Sequence, residues 1–231
     1  MTEVSTSSPV RVAVKESVAV AVAVSAYGVS FGALAVAAGL DIWQTCVLSL
    51  LMFSGGSQFA LIGVLASGGV AAAPAAIASA TLLGARNGLY AMRLTTIVGG
   101  PWWRKMAAAH ITIDESMAVS TAQEEPRAQR VGFWLTGILI FVGWNLTTLI
   151  GALVGDAIGD VSQFGLDAAA AAAFLGLLWP RMRQLQPVVV AIAAAVVCAA
   201  LIPVLPAGLP VLAAAGVAVV VGITNWWGRR P

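Results

Sequence analysis

The chain has 231 residues, of which 60% are hydrophobic and only 10% are charged, and its mean hydropathy is +0.93. Soluble domains carry about 25% charged residues, so twelve basic and ten acidic side chains are too few to cover a water-soluble surface. The formal net charge of +2 comes from scattered residues, which excludes the basic patch of a nucleic-acid-binding protein.

The first predicted element is a membrane-spanning helix near the N-terminus. Between Glu16 and Asp41 lie 24 uncharged residues, which reach about 36 Å as a helix and exceed the ~30 Å hydrocarbon core of a bilayer. The stretch is longer than the apolar region of about 7–15 residues in a secretory signal. We therefore interpret it as a retained helix.

The next two spans come from one long uncharged run, residues 42–85, with a turn predicted at residues 67–69. The first of these spans is interrupted by the sequence SGGSQ at residues 54–58. Adjacent glycines allow a helix to unwind, and unwound backbone near the bilayer centre can bind the charged ends of a small substrate. We predict Gly55, Gly56 and Gln58 as substrate-binding residues; close helix packing at the glycines is the alternative.

Polar residues inside other spans predict further contacts to a substrate. Arg86 lies about two turns deeper than Arg93 on the third span, where a guanidinium is costly in lipid without an acidic partner or an anionic ligand. We predict Arg86 and Asn87, with Tyr27 on the first span and Asn145 on the fourth, as binding residues. A structural salt bridge and interhelical hydrogen bonds are the alternatives.

Residues 99–130 are richer in charge and predict a partly helical connection outside the hydrocarbon, on the cytoplasmic side. This connection contains two adjoining carboxylates, Asp114 and Glu115. Repulsion between neighbouring carboxylates raises the proton affinity of one of them. We predict a role for this pair in proton coupling or gating; a solvated pair of surface charges is the alternative.

The C-terminal half predicts four further spans. Residues 131–155 form the fourth, residues 161–180 form a fifth that carries Asp167, and residues 184–228 are long enough for two more, divided by three prolines. The sequence therefore predicts an all-α polytopic membrane protein of about seven transmembrane helices.

Basic residues orient these spans, because basic loops are retained in the cytoplasm. Arginines and lysines place the central connection and the C-terminus inside. Arg11 and Lys15 favour a cytoplasmic N-terminus, whereas seven spans would place it outside. The conflict disappears if residues 54–58 belong to a segment that enters and leaves on the same side, so the side of the N-terminus stays open.

An internal similarity predicts two related halves. GALAVAAGLDIWQ from Gly32 and GALVGDAIGDVSQ from Gly151 are offset by 119 positions. Three predicted spans separate them, and an odd number gives the halves opposite topology, as in many secondary transporters. The predicted organisation within this single membrane domain is repeat 1 at about residues 17–98, the connection at 99–130, repeat 2 at 131–203 and a final helix at 208–228. Chance similarity in a chain rich in alanine and glycine is the alternative.

Enzymatic and metal chemistry find little support in the sequence. His110 is the sole histidine, and the two cysteines lie in separate apolar runs without a CxxC pair. No nucleophile and base are placed together on the predicted spans. We therefore expect neither an enzyme, a metal site nor a bound cofactor.

Three stretches carry a family resemblance: FSGGSQF at residues 53–59, Arg86-Asn87 followed by Tyr90, and TIDE at residues 112–115. Over residues 17–125 the chain resembles the AzlC-type large subunit of bacterial branched-chain amino-acid exporters. The resemblance implies export of leucine, isoleucine and valine, with methionine as a further candidate, driven by the proton gradient across the bacterial inner membrane. It also implies a small AzlD-type membrane subunit as partner.

We therefore expect a secondary transporter that lies in the lipid bilayer and moves an amino-acid substrate outward by alternating access. Three alternatives remain open: a passive channel or facilitator, a permease-like scaffold subunit of a larger membrane complex, and an intramembrane enzyme.

Overall fold

The structure is a computed structural model that describes residues 8–159, 175–176, 178–179 and 182–224. These described residues form nine α-helices, one short 3-10 helix at Val70–Ala72 and no β-strand. The all-α class predicted from the sequence is confirmed for this part of the chain. The helices are α1 (Pro9–Ala37), α2 (Ile42–Leu51), α3 (Gly55–Gly68), α4 (Ala73–Val98), α5 (Trp102–His110), α6 (Asp114–Thr121), α7 (Pro126–Ile158), α8 (Leu185–Leu201) and α9 (Leu209–Thr224).

Two of the described helices, α1 and α7, are long and apolar enough to cross a membrane. Each begins with a proline in its first turn, where the missing N–H removes no helical hydrogen bond. The α1 helix is also capped by the Ser8 hydroxyl, which accepts a hydrogen bond from the Arg11 backbone N–H. The first and fourth predicted spans correspond to these two helices.

The α1 and α7 helices pack side by side and run in the same direction. The Thr136 hydroxyl donates to the Ser17 hydroxyl at 2.9 Å, and a Cβ atom built at Gly32 would lie 3.0 Å from the carbonyl carbon of Gly151. Both pairs are 119 positions apart, and a constant offset along two packed helices requires a parallel arrangement. The opposite topology predicted for residues 17–98 and 131–203 is therefore not confirmed, because the helices that begin these two segments are parallel.

The α2 and α3 helices form a hairpin that enters and leaves at the end of the structure where α1 and α7 end. The α2 helix descends along α7, since Ser49 bonds Thr148 at 3.4 Å and the Phe53 ring lies 5.1 Å from that of Phe141. The α3 helix returns antiparallel to α4, packing Val64 near the start of that helix. Because α2 and α3 enter and leave at the same end, this hairpin contributes no net crossing.

The break in this hairpin falls at residues 52–54, immediately before the expected unwound glycines. Gly55 and Gly56 lie in the first helical turn of α3. At about 15 and 21 Å, neither α2 nor α3 reaches across a ~30 Å hydrocarbon core. The turn predicted at residues 67–69 is confirmed by the end of α3 at Gly68 and the left-handed backbone of Gly69, whose φ is +59°.

The α5 and α6 helices form a second hairpin, which enters from the opposite end. Along α5, Arg104 lies over the Trp134 ring and His110 packs on Phe141, so α5 runs parallel to α7. The α6 helix returns, and its Ser120 hydroxyl donates to the Gln129 carbonyl at 2.9 Å.

The tip of the second hairpin reaches the middle of α7, so residues 99–130 do not lie wholly beyond the ends of the long helices, and their position outside the hydrocarbon stays a prediction. Residues 111–113 at the tip are uncharged, and the carboxylate of Asp114 next to them is paired with Arg86 on α4. The α4 helix joins the hairpins and ends beside the start of α7, where the Arg130 Nε donates to the Ile97 carbonyl at 3.0 Å.

The α8 and α9 helices form a hairpin separated by residues 202–208, as the prolines predict. Ala207 in this turn contacts Gly68 at the end of α3. The predicted fifth span, including Asp167, lies almost entirely outside the described residues, as does the end of the final helix. The count of seven transmembrane helices is therefore not confirmed.

Candidate functional site

A cavity of about 330 Å³ lies where the tips of the two hairpins meet, between α1, α4 and α7. Small-molecule pockets measure about 300–1,000 Å³, so this one suits a ligand of a few heavy atoms. Its lining residues come from α1, both hairpins, α4, α7 and the described part of residues 175–179: Val24, Tyr27, Phe53, Ser54, Gly55, Gly56, Phe59, Leu83, Arg86, Asn87, Ile113, Asp114, Glu115, Ile140, Trp144, Gly176 and Leu178.

One side of the cavity is apolar and aromatic. Phe59 packs edge-on against Trp144 with ring centroids 6.3 Å apart, and Phe53 packs edge-on against Phe141 at 5.1 Å. Ile140 completes this wall from α7 and is 1% exposed. Close-packed rings hold a fixed shape, so the wall is a preformed surface for an apolar side chain.

The cavity lining also carries an ion pair between α4 and the tip of the second hairpin. Arg86 Nη1 lies 2.9 Å from Asp114 Oδ2, and the two side chains are 33% and 30% exposed. This acidic partner explains how an arginine is accommodated deep in α4. The structural salt bridge considered from the sequence is present, and both of its members also line the cavity.

Glu115 follows Asp114 on α6, which is an eight-residue helix outside the two spanning helices. Burial raises the pKa of the Glu115 carboxyl above its usual range, and the neighbouring Asp114 carboxylate raises it further. A backbone hydrogen bond and the Arg86 guanidinium oppose the shift without cancelling it. Glu115 therefore retains its proton to a higher pH than an exposed glutamate.

Four buried polar atoms on cavity-lining residues have no hydrogen-bond partner. Two are donors, Arg86 Nε and Trp144 Nε1, and two are acceptors, Asn87 Oδ1 and Asp114 Oδ1. Buried polar atoms are nearly always satisfied in folded proteins. The side chains that line the cavity thus carry both unpaired donors and unpaired acceptors.

Gln58 lies behind the cavity wall and bridges the break in the first hairpin. Its side-chain amide donates to the Met52 carbonyl at 2.8 Å and to the Ser49 carbonyl at 3.4 Å, and the residue is fully buried. These carbonyls belong to the end of α2, where a helix leaves acceptors unsatisfied. The structure thus places Gln58 as a brace of the broken segment.

Gln58→Ala is expected to abolish leucine efflux from loaded vesicles while leaving expression intact. Without the amide, the end of α2 loses its donors and the break that shapes the cavity loosens. Gln44→Ala, which removes an exposed amide at the other end of α2, is the matched control. Equal efflux by the two variants would contradict the bracing role.

The structure brings seven of the nine predicted site residues to the cavity wall, and these are Tyr27, Gly55, Gly56, Arg86, Asn87, Asp114 and Glu115. Gln58 and Asn145 are not on the wall; the Asn145 amide donates to the Phe141 carbonyl one turn earlier on α7. The sequence did not single out the apolar wall. The sequence feature that could have indicated this wall is the pair of aromatic residues Phe53 and Phe59, which flank the glycine motif.

This arrangement is that of a helical membrane protein of the transport type: long apolar helices enclose a central cavity lined by the tips of two helical hairpins. A sequence model of one family, described as AzlC protein, matches residues 19–158, which is more than half of the chain. The chain therefore belongs to the AzlC family, a membrane-associated family generally linked to transport.

One relative is an uncharacterized membrane protein of Helicobacter pylori (strain ATCC 700392 / 26695). It is 27% identical over 179 residues, which cover 75% of this chain and 77% of the relative. No solved structure matches the chain.

Proposed function

We propose that the protein is a secondary exporter of branched-chain amino acids across the bacterial inner membrane. The observation that supports this most strongly is the set of unpartnered donors and acceptors around one small cavity with an apolar wall. A carboxylate accepts hydrogen bonds and an ammonium group donates them. The aromatic and aliphatic wall suits the branched side chain of leucine, isoleucine, valine or, as a further candidate, methionine.

Alternating access fits the two broken hairpins. Their tips meet beside the cavity, where His110 Nε2 lies 3.0 Å from the Leu50 carbonyl. This contact and the Arg86–Asp114 pair link the second hairpin to neighbouring elements. Breaking and remaking such polar contacts would let one hairpin move relative to the rest and open the cavity to either side.

Proton coupling is proposed through Glu115. A substrate ammonium at this carboxyl favours its ionised form and so releases the proton that burial retains. Asp114 and Arg86 are the charged groups that act on Glu115, and both also line the cavity. Exchange of one proton for one ammonium group would couple export to proton entry.

Glu115→Gln is expected to flatten the pH dependence of both transport and stability. Because folding raises the pKa of Glu115, the folded state binds its proton more tightly than the unfolded state. The wild-type melting temperature should therefore fall as pH rises above the ordinary glutamate pKa of about 4.3. Thermal unfolding between about pH 4 and 8 should show a smaller fall for Glu115→Gln. Glu124→Gln, at an exposed acid outside the cavity, should retain the wild-type slope.

We propose that the N-terminus and the C-terminus are both cytoplasmic. At the end of the structure where α1 and α7 begin lie most of the described basic residues: Arg11, Lys15, Arg93, Arg104, Lys105, Arg127 and Arg130. The described residues at the opposite end include Asp41 and Asp156 and no lysine or arginine. Basic residues favour the cytoplasmic side, and the re-entrant first hairpin makes this orientation consistent along the chain.

Cysteine labelling tests the orientation in a background where Cys46 and Cys198 are alanine. Lys105→Cys should react with a membrane-impermeant maleimide only after spheroplasts are permeabilised, whereas Asp156→Cys should react in intact spheroplasts. Both parent residues are exposed, which makes them a matched pair. The reverse pattern would contradict a cytoplasmic N-terminus.

A small AzlD-type membrane subunit is proposed as partner on the strength of the family resemblance. Reconstitution with and without this subunit distinguishes an autonomous transporter from a scaffold subunit. Uphill efflux that an uncoupler stops would exclude a passive channel or facilitator.

A further inference from the structure

The two hairpins are related by a constant offset along the chain. Their breaks, residues 52–54 and 111–113, are 59 positions apart. Ser57 and Ser116 are also 59 positions apart, and each forms a hydrogen bond to the last residue of its own break. The Ser57 hydroxyl bonds the Ser54 hydroxyl at 3.1 Å, and the Ser116 hydroxyl accepts from the Ile113 N–H at 3.0 Å. Because the hairpins enter from opposite ends and α1 and α4 run in opposite directions, the relation is an inversion.

The same offset pairs ten of the residues that line the cavity. The five pairs are Val24 with Leu83, Tyr27 with Arg86, Ser54 with Ile113, Gly55 with Asp114, and Gly56 with Glu115. Two inverted segments that contribute equivalent positions to one cavity place it on a pseudo-two-fold axis.

The two tips differ in chemistry although their positions are equivalent. At the start of α3, Gly55 and Gly56 carry no side chain. The first hydrogen bond of this helix runs from the backbone N–H of Gln58 to the Ser54 carbonyl. The amides before it have no acceptor within the helix, and the Ser54 side chain does not cap them. At the start of α6 the equivalent positions hold the carboxyls of Asp114 and Glu115. One tip thus presents donors and the other presents acceptors.

Two donors next to the glycine tip point to the same assignment. A Cβ atom at Gly56 would lie 3.0 Å from Arg86 Nη2, and one at Gly55 would lie 3.1 Å from the Trp144 ring. Trp144 is only 4% exposed, it lines the cavity and its Nε1 has no partner. Arg86 Nε is likewise without a partner. The two side chains next to the glycine tip are therefore both hydrogen-bond donors, which is the chemistry that a carboxylate requires.

We propose that residues 24–57 and 83–116 are inverted repeats whose tips form two unlike half-sites, the glycine tip for the carboxylate and the acidic tip for the ammonium group of one zwitterion. This inference rests on the proposed transport of amino acids and adds the orientation of the substrate. It assigns Asp114 and Glu115 to the ammonium group and the amides near Gly55 and Gly56 to the carboxylate.

The test measures binding of three probes to the purified full chain by competition with labelled leucine. Unlabelled leucine has both charged groups, 4-methylpentanoate lacks the ammonium group and 3-methylbutylamine lacks the carboxylate. Glu115→Gln should lower the binding affinity for leucine and 3-methylbutylamine by about tenfold or more and leave the affinity for 4-methylpentanoate unchanged. Gly56→Ala, which displaces Arg86, should lower the binding affinity for leucine and 4-methylpentanoate and leave the affinity for 3-methylbutylamine unchanged.

Matched controls separate local effects from misfolding. Glu124→Gln removes an exposed acid, and Gly88→Ala adds a methyl group on α4 where no atom lies within 4 Å. Both should bind all probes as the wild type does, and Glu115→Asp should restore affinity for 3-methylbutylamine. If either tip variant lowered the affinity for all three probes equally, the two half-sites would be overturned, but the proposed transport of leucine would not be. Absence of leucine binding by the wild type would instead contradict the proposed function, and the half-sites with it.

Discussion

Arg86→Ala is expected to abolish leucine counterflow and to lower the stability of the protein. The substitution leaves Asp114 without its partner at 2.9 Å and removes a donor from the cavity. Breaking a fully buried ion pair costs about 3–5 kcal/mol. Because both side chains here are about one-third exposed, solvent screens the remaining charge, and we expect a loss nearer ~1–2 kcal/mol.

The control for this prediction is Arg93→Ala, which removes an exposed arginine from the same helix outside the cavity. It should retain counterflow and melt close to the wild type. In the double variant Arg86→Ala/Asp114→Asn, part of the lost stability should return, because no unpaired charge remains. Normal counterflow by Arg86→Ala would remove the ion pair from the transport site.

Gly32→Leu is expected to give the largest loss of stability in the described structure. A Cβ atom at Gly32 would collide with the Thr148 carbonyl and lie 2.6 Å from the Ala152 N–H nitrogen, so α1 and α7 must separate. Overpacking of this kind typically costs about 1–3 kcal/mol and more where backbone is the obstacle. Thermal unfolding in detergent, followed by the loss of monodisperse protein, measures the effect.

Gly63→Leu is the matched control, since a Cβ atom at this helical glycine of α3 meets no atom within 4 Å. It adds the same side chain and should change the melting temperature little. Equal melting temperatures for Gly32→Leu and Gly63→Leu would show that the close α1–α7 contact does not support the fold.

Local composition was sufficient to predict the long helices and the break near the glycine motif. The uncharged runs at residues 17–40 and 131–155 predicted the central parts of α1 and α7, which begin earlier, at Pro9 and Pro126, and glycines marked the turn after α3. The second hairpin was beyond such reasoning, because residues 99–130 are charged enough to indicate a connection. The charge of Asp114 is neutralised by Arg86, 28 positions earlier in the chain, and only the tertiary structure brings the two together.

The offset of 119 positions has a physical meaning different from the predicted one. Gly32 and Gly151 resemble each other in context because both lie in the close contact between two parallel helices, where small residues let backbones approach. The offset of 59 positions escapes a sequence comparison. It pairs glycines with acids, Gly55 with Asp114 and Gly56 with Glu115, so the equivalence is one of backbone position and not of residue type.

The orientation of a buried amide could not be predicted either. Gln58 was expected to face a substrate, since a glutamine inside an apolar segment needs partners. The ends of broken helices supply such partners, and here the Met52 and Ser49 carbonyls take the amide protons. Which carbonyls accept from the amide depends on where the chain breaks, and the break at residues 52–54 falls immediately before the expected glycines.

We propose that the cavity between the hairpin tips binds a zwitterion with a branched apolar side chain and that the protein exports it. Counterflow of labelled leucine in proteoliposomes, with a panel of unlabelled amino acids at two pH values, tests it most directly. We expect isoleucine, valine and unlabelled leucine to drive exchange, glutamate and lysine to drive none, and the rate to change with pH in the wild type but not in Glu115→Gln. Exchange driven equally by charged amino acids, or none driven by leucine, would contradict the claim.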